Sequence, residues 1–276
     1  MSETQLHPLI AKYARKGAQR QPHCAGCGNG IIAQCMLRAI EELDLDFGKM
    51  VFVSGIGCSS WIPSPFFNTD VLHTIHGRPL AFATGVKLSN PDLRVVVFTG
   101  DGDGAAIGGN HLIHAARKNI EILAILINNR IYGMTGGQVA PTTPHGMKTR
   151  TTPYGNLEYP FDLCKLVEAA GASYVVRWTT FHVKQLVSSM KRGLLKEGFS
   201  FIEVMSQCPV QYGRFIGIRD PAKMLLMLRD SSLPISKAKS MSEEELEGRI
   251  VVGEFVDRER VGLTKAYKKL LNEVQA

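Results

Sequence analysis

Two polar clusters, Thr99-Gly-Asp-Gly-Asp-Gly104 and Ile127-Asn-Asn-Arg-Ile-Tyr132, constrain this chain more than anything else in it. Each follows an apolar run, Val95-Val-Val-Phe98 and Ile122-Leu-Ala-Ile-Leu-Ile127, with the length and branched side chains of a buried strand. Between them, Ala105 to Lys118 places Ala106, Ile107, Leu112, Ile113 and Ala116 at helical spacing. Strand, glycine turn, helix and strand make a βαβ crossover, whose strands are parallel and whose hand is right. A carboxylate and a carboxamide then stand at the carboxyl ends of neighbouring strands, where open α/β sheets bind ligands.

Mg²⁺ takes about six oxygens at roughly 2.0–2.1 Å, usually from one or two protein carboxylates together with phosphate and water. Asp101 offers a carboxylate oxygen, Asn129 an amide oxygen and Ile131 a backbone carbonyl. A diphosphate would supply others, its charge met by N–H groups after the glycines. A glycine-rich turn alone suits many nucleotide-binding sheets. The paired Asn128-Asn129 one crossover beyond Gly100-Asp-Gly102 narrows the choice, because together they resemble the GDG…NN signature of thiamine diphosphate enzymes. The resemblance implies Mg²⁺ held by Asp101, Asn129 and the Ile131 carbonyl. The interval to Asn129 fits from Asp101 rather than from Asp103, which is expected beside the cofactor.

The chain's 276 residues leave ample length for a core, and 45% hydrophobic with 21% charged residues is ordinary globular composition. No apolar run approaches the roughly 20 residues of a membrane span, and the polar start lacks the apolar segment of a signal peptide. A cytoplasmic protein without membrane contact is expected. The net charge of +7 comes without a Lys/Arg tract or interleaved aromatics, so nucleic acid is not an expected partner. Anionic cofactors, an acidic partner or an acidic sister subunit account for it as well as a solvated basic surface does.

Along the chain, spacing predicts helices over 29–43, 81–88, 163–170 and 182–196, and strands over 50–53, 174–177 and 201–205. Their alternation predicts a doubly wound, mostly parallel α/β sheet over 1–213. Residues 214–276 read as an extension packing on that domain or on a partner. The stretch Met134 to Glu158 lacks a period, and long irregular runs inside a domain are usually functional.

Six cysteines in a cytoplasmic chain call for metal or redox explanations before disulfides. Cys24-Ala-Gly-Cys27 precedes a helix, while Cys58 and Cys208 follow strand ends, on the edge of the Asp101 site. Cys35 and Cys164 fall inside amphipathic helices and read as core. Four thiolates suit a structural Zn²⁺ or a [4Fe–4S] cluster, and a redox dithiol is a lesser reading of the C-x₂-C pair.

The set His23-Cys-Ala-Gly-Cys-Gly28, Gly55-Ile-Gly-Cys-Ser-Ser60, His76-Gly-Arg78, Gly100-Asp-Gly-Asp103, Asn128-Asn129 and Met134-Thr-Gly-Gly-Gln138 resembles the β subunit of 2-oxoacid:ferredoxin oxidoreductases over about residues 20 to 215. The resemblance implies thiamine diphosphate, Mg²⁺ and one [4Fe–4S] cluster on Cys24, Cys27, Cys58 and Cys208, the last being the loosest match. It implies Gly57, Ser60, Gly77, Arg78, Gly100, Asp101, Gly102, Asp103, Asn129, Gly133, Met134 and Thr135 around the cofactor, with Gly136, Gly137 and Gln138 closing over the diphosphate. His76, Cys58 and Ser59 are the expected catalytic residues, and Trp61 lies beside them. A buried structural role suits His76 equally, and His111 and His114 read as ordinary helix histidines. Pro141-Thr-Thr-Pro144 and Thr152-Pro-Tyr-Gly-Asn156 are similar to the 2-oxoglutarate branch, whose second carboxylate would meet Lys148, Arg150, Arg130 or His145.

The implied reaction is oxidative decarboxylation of a 2-oxoacid with coenzyme A to an acyl-CoA (succinyl-CoA from 2-oxoglutarate) and CO₂, possible in both directions, with electrons leaving through the cluster to ferredoxin. Neither Glu41, Glu42 nor Glu158 suits the carboxylate that thiamine enzymes place on the pyrimidine ring. In the family it comes from the α subunit, so an αβ or (αβ)₂ assembly is expected. Two other readings remain open: a non-redox thiamine decarboxylase or carboligase with a Cys₄ zinc site, and a non-catalytic relative, against which the intact Asp101 and Asn129 stand.

Overall fold

The computed structural model describes residues 6–17 and 22–275, so the first residues of the polar start lie outside it. Ten α-helices are assigned among these residues: α1 (Pro8–Tyr13), α2 (Asn29–Glu42), α3 (Pro79–Ser89), α4 (Gly109–Lys118), α5 (Leu163–Ala170), α6 (Val183–Leu195), α7 (Tyr212–Phe215), α8 (Pro221–Ser231), α9 (Ile235–Ala238) and α10 (Leu263–Gln275). The strands are β1 (Met50–Ser54), β2 (Asp70–His73), β3 (Arg94–Gly100), β4 (Ile122–Asn128), β5 (Tyr174–Thr179), β6 (Ser200–Met205), β7 (Ser232–Pro234) and β8 (Ile250–Asp257). They form one sheet in the order β2-β1-β3-β4-β6-β5-β8-β7. All pairings are parallel except that of β8 with β5. The sheet is the doubly wound α/β architecture expected.

Both faces of the sheet are covered, which explains strands such as β4 that are buried from end to end. On one face Ile32, Met36 and Ile40 of α2 and Leu186 and Met190 of α6 pack on Phe52, Phe98, Ile125 and Ile202. On the other, Leu80 of α3, Leu112 and Ala116 of α4 and Leu163 and Val167 of α5 pack on Val97, Leu126 and Phe201. Local signals set the helix ends: the Asp162 side chain accepts the Lys165 N–H to cap α5, and Gly171 stops it. Among the described residues no helix is long and apolar enough to cross a membrane.

The structure departs from expectation in one place that bears on the site and adds detail in another. The helix expected over Ala105–Lys118 is split into a π turn, Gly102–Ile107, and α4. Its wider winding, closed by Gly108 N–H on the Asp103 carbonyl at 3.1 Å, sends Asp101 and Asp103 to different neighbours. The segment after 214 adds β7 and β8 to the main sheet, with the Arg177 guanidinium reaching the Val251 carbonyl at 3.4 Å.

The strand order places β1 between β2 and β3, so the chain's crossovers leave β1 in opposite directions. The crevice above that switch point is where a doubly wound sheet receives ligands.

Candidate active site

Asp101 stands at the end of β3, and its side chain is withdrawn from solvent at 3% exposure. Its Oδ2 accepts the Thr142 hydroxyl at 2.5 Å, and the backbone N–H groups of Gly102 and Arg130 also point at it. No salt bridge reaches it among the described residues, so burial outweighs these bonds and pushes its carboxyl up to about 6. A buried carboxylate of this kind suits a cation partner. Asn129, across the cleft on β4's exit, accepts the Ile131 N–H at 3.2 Å. Asn128 accepts the Arg130 N–H at 3.1 Å, and two successive Asx turns hold Arg130 at φ 63°. The amide of Asn128 donates to Glu203 at 2.7 Å.

Asp103 is used differently. It accepts the N–H of Ile56 at 3.1 Å and of Gly77 at 2.7 Å, the Thr99 hydroxyl at 2.6 Å, and lies 2.8 Å from His76 Nδ1. It lines the same cleft as Asp101, and its carboxylate also clamps the loops after β1, β2 and β3. His76 is thereby fixed with its ring on the cleft wall. Gly57, at φ 132°, turns the chain sharply after β1 and brings Cys58 and Ser59 to the same cleft. Gly100, Asp101, Gly102, Asn129, Ile131 and Gly133 form the opposite wall.

Other expected cofactor neighbours stand outside that lining. The Ser60 hydroxyl donates to Gly57 O at 2.5 Å inside the turn, and Arg78 reaches the Ile107 carbonyl at 3.1 Å. Gly77 gives its N–H to Asp103, Met134 is half-exposed, and the Thr135 hydroxyl donates to Gln138 at 2.6 Å. Tyr132, which the sequence reading passed over, lines the cleft, and its hydroxyl donates to Gly102 O at 2.9 Å. A side chain at Gly102 would lie 2.3 Å from the Tyr132 ring, so this glycine serves close packing as well as phosphate approach.

Among the described residues no glutamate lines the cleft. Glu41 pairs with Lys12 and Tyr13, Glu42 pairs with Lys191 at 2.9 Å, and Glu158 follows Asn156 in the irregular loop. Glu203 lies behind Asn128, held by Arg177 at 2.6 Å. Of the basic candidates, Arg130 donates to the Tyr212 hydroxyl at 3.3 Å, Lys148 and Arg150 are exposed, and His145 stacks on Tyr159 at 4.8 Å. His114 accepts from Arg117 at 3.3 Å, which uses it within α4.

The four thiols come from three loops on the same edge. Cys27 N–H closes a turn onto Cys24 O at 3.0 Å, and Gly28 N–H joins that turn to Gln207 O, beside Cys208, at 3.2 Å. The Asn29 amide donates to the Cys58 carbonyl at 3.1 Å. A Cβ at Gly133 would lie 3.7 Å from Cys58 Sγ, 3.8 Å from Cys208 Sγ and 3.7 Å from Asn129 Nδ2. The thiol loops and the Asp101 site therefore meet across one glycine. Burial and the neighbouring thiols push Cys27 up to about 12 and Cys58 to about 11, against the pull of the Asn29 backbone N–H on Cys27. Among the described residues no three His, Cys, Asp or Glu side chains converge as on a single metal ion. Cys35 is buried in α2, and Cys164 donates to Glu203 at 3.4 Å.

Residues 55–204 match the family model of the thiamine pyrophosphate enzyme C-terminal TPP binding domain. Over 273 residues the chain is 56% identical to the 2-oxoglutarate synthase subunit KorB of Methanocaldococcus jannaschii, covering 98% of this chain and 100% of that one. It is 43% identical over 188 residues to the 2-oxoacid:ferredoxin oxidoreductase subunit beta of a Sulfolobus species, covering 67% of this chain and 61% of the other. Among solved structures, the 2-oxoglutarate:ferredoxin oxidoreductase from Magnetococcus marinus, with 2-oxoglutarate, coenzyme A and succinyl-CoA bound, superposes with a TM-score of 0.86 at 33% identity, over 100% of this chain and 93% of that one.

Proposed function

Because the chain belongs to the family of thiamine pyrophosphate-binding 2-oxoglutarate synthase and 2-oxoacid:ferredoxin oxidoreductase β subunits, we propose that it holds the reaction centre of a 2-oxoglutarate:ferredoxin oxidoreductase. With a partner α subunit it converts 2-oxoglutarate and coenzyme A into succinyl-CoA and CO₂, and two electrons leave one at a time to ferredoxin. When bound, thiamine diphosphate supplies the nucleophilic carbon and electron sink, and a [4Fe–4S] cluster supplies the one-electron relay.

This chain's residues have separate tasks in that scheme. Asp101, the Asn129 amide and the Ile131 carbonyl would hold Mg²⁺; the buried Asp101 carboxylate, with no basic partner among the described residues, fits a divalent cation. Ser59 and His76 line the space beside it, with His76 oriented by Asp103. Cys24, Cys27, Cys58 and Cys208 carry the cluster. Their spread over separate loops suits a group in which each thiolate takes a different iron.

The carboxylate for the pyrimidine ring comes from the α subunit, in keeping with a cleft that no glutamate lines among the described residues. Tyr154, Leu157 and Tyr159, 97%, 87% and 84% exposed, extend from the loop that carries Thr142 and form part of the α-subunit contact. Residues 1–213 act as the cofactor domain, 214–276 as an extension closing its sheet edge, and the assembly is an αβ or (αβ)₂ heteromer of the cytoplasm.

The observation that carries this reading is that Asn129 and two of the four thiols, on Cys58 and Cys208, gather around Gly133. The test is activity of the chain co-produced with its α subunit. Reduction of ferredoxin must require both 2-oxoglutarate and coenzyme A, and exceed that with pyruvate. Reduction without coenzyme A, or CO₂ release with no electrons delivered, overturns it.

A further inference from the structure

Buried polar groups are almost always hydrogen-bonded, so those without partners need an explanation. Among the described residues four buried side-chain atoms have none: His23 Nε2, Ser200 Oγ, Ser206 Oγ and Gln211 Oε1. Two of the four, His23 Nε2 and Ser206 Oγ, can donate a proton and belong to the segments that carry cluster thiols. His23 directly precedes Cys24, and Ser206 stands two positions before Cys208. The Ser206 hydroxyl also lies against Gly28, where a Cβ would approach it to 2.2 Å, immediately after Cys27.

We propose that His23 and Ser206 are hydrogen-bond donors to the sulfur atoms of the iron–sulfur cluster and set its reduction potential. The inference rests on the cluster reading above and goes beyond it, because cluster binding needs only the four thiols. An imidazole ring carries at least one N–H, and a serine hydroxyl carries its own proton to give. Thiolate and sulfide sulfurs gain negative charge when the cluster is reduced. A donor aimed at them therefore favours the reduced form, and hydrogen bonds to the sulfurs are one of the levers that spread such potentials. One donor stands on the loop before α2 and the other on the exit of β6, so each can be removed separately.

The test uses the αβ complex, purified anaerobically, with His23→Leu and Ser206→Ala prepared separately. Iron and sulfide content of the unaltered complex comes first; a protein without iron contradicts the cluster assignment itself, whatever the variants do. With the cluster present, midpoint potentials are read by redox titration followed by electron paramagnetic resonance. Each variant is expected at a more negative potential, with the reduced-to-oxidised ratio at the wild-type midpoint falling several-fold, a tenfold fall being about 59 mV. His23→Gln, which keeps an N–H donor, recovers part of the shift. Exchangeable-proton couplings to the reduced cluster, measured on the unaltered complex after D₂O exchange, should weaken in both variants. Unchanged midpoints and couplings at full iron content overturn the proposal. Because Ser206→Ala removes a single oxygen, it decides the matter even where His23→Leu loses the cluster.

Discussion

The Asn128 amide donates to the Glu203 carboxylate at 2.7 Å, joining the metal loop to a charge buried inside the neighbouring strand. Glu203 in turn holds Arg177 at 2.6 Å, and Arg177 reaches Asp162, the cap of α5, at 2.6 Å. One chain of bonds thus fixes β4's exit, β5, β6 and the start of α5. A buried pair of this kind adds little over apolar packing, but removing one member leaves the other uncompensated. Its use here is positional, because the residue after Asn128 is a proposed metal ligand.

Replacing Glu203 by Gln should therefore leave Arg177 short of a charge partner and loosen the loop. The expected loss is about 3–5 kcal/mol of stability, with weaker Mg²⁺-dependent thiamine diphosphate binding. Urea unfolding and cofactor titration measure the two effects, and unchanged values in both contradict the network's role.

Asp101 and Asp103 should respond differently to the same change. Asp101→Asn is expected to abolish Mg²⁺-dependent retention of thiamine diphosphate with little loss of stability, because the Thr142 bond survives. Asp103→Asn should lower the melting temperature, because four donors converge on its carboxylate. Identical behaviour of the two variants would remove the distinction drawn between them.

The raised pKa of Asp101 gives a pH dependence with a definite sign. Below about 6 the metal-free folded chain keeps a proton there that an unfolded aspartate, with its pKa near 3.9, has released. Stability of the metal-free protein from this group therefore falls as pH rises from about 4 to 6. Mg²⁺ must displace the proton, so its affinity should drop as pH falls through about 6, which calorimetry in buffers of different protonation enthalpy reads as proton uptake or release. Affinity independent of pH between 5 and 7 contradicts the assignment.

Gly102→Ala drives a methyl group into the Tyr132 ring, 2.3 Å away. Overpacking of this kind costs about 1–3 kcal/mol, and Tyr132→Ala in the same chain should relieve most of it. A coupling energy near zero between the two changes would show that the glycine answers to something else.

Much of this arrangement is legible in the sequence. The runs Val95–Phe98 and Ile122–Ile127 announce β3 and β4, and the helix read at 163–170 is α5 at both ends because a cap and a glycine bracket it. β2 shows no bounds in the sequence because four residues, none of them buried, carry no period, and β8 is missed because Gly253 and Glu254 interrupt its apolar pattern. Those strands form because the sheet's edges offer partners, a tertiary cause. The Thr142–Asp101 bond spans 41 positions and the Ile56–Asp103 bond 47, so neither could be seen in local spacing. Arg177 and Glu203 did leave a trace, since each puts a charge into an otherwise apolar strand, where lone charges are rare.

In the proposed enzyme a metal–diphosphate site and an iron–sulfur cluster share one edge of this sheet. Iron, acid-labile sulfide, zinc, magnesium and thiamine diphosphate content of the anaerobically purified αβ complex tests it most directly. The account predicts about four irons, four sulfides, one magnesium and one thiamine diphosphate per chain in a brown protein. One zinc with no iron, in a colourless protein never exposed to air, would contradict the electron path and leave a non-redox thiamine enzyme in its place.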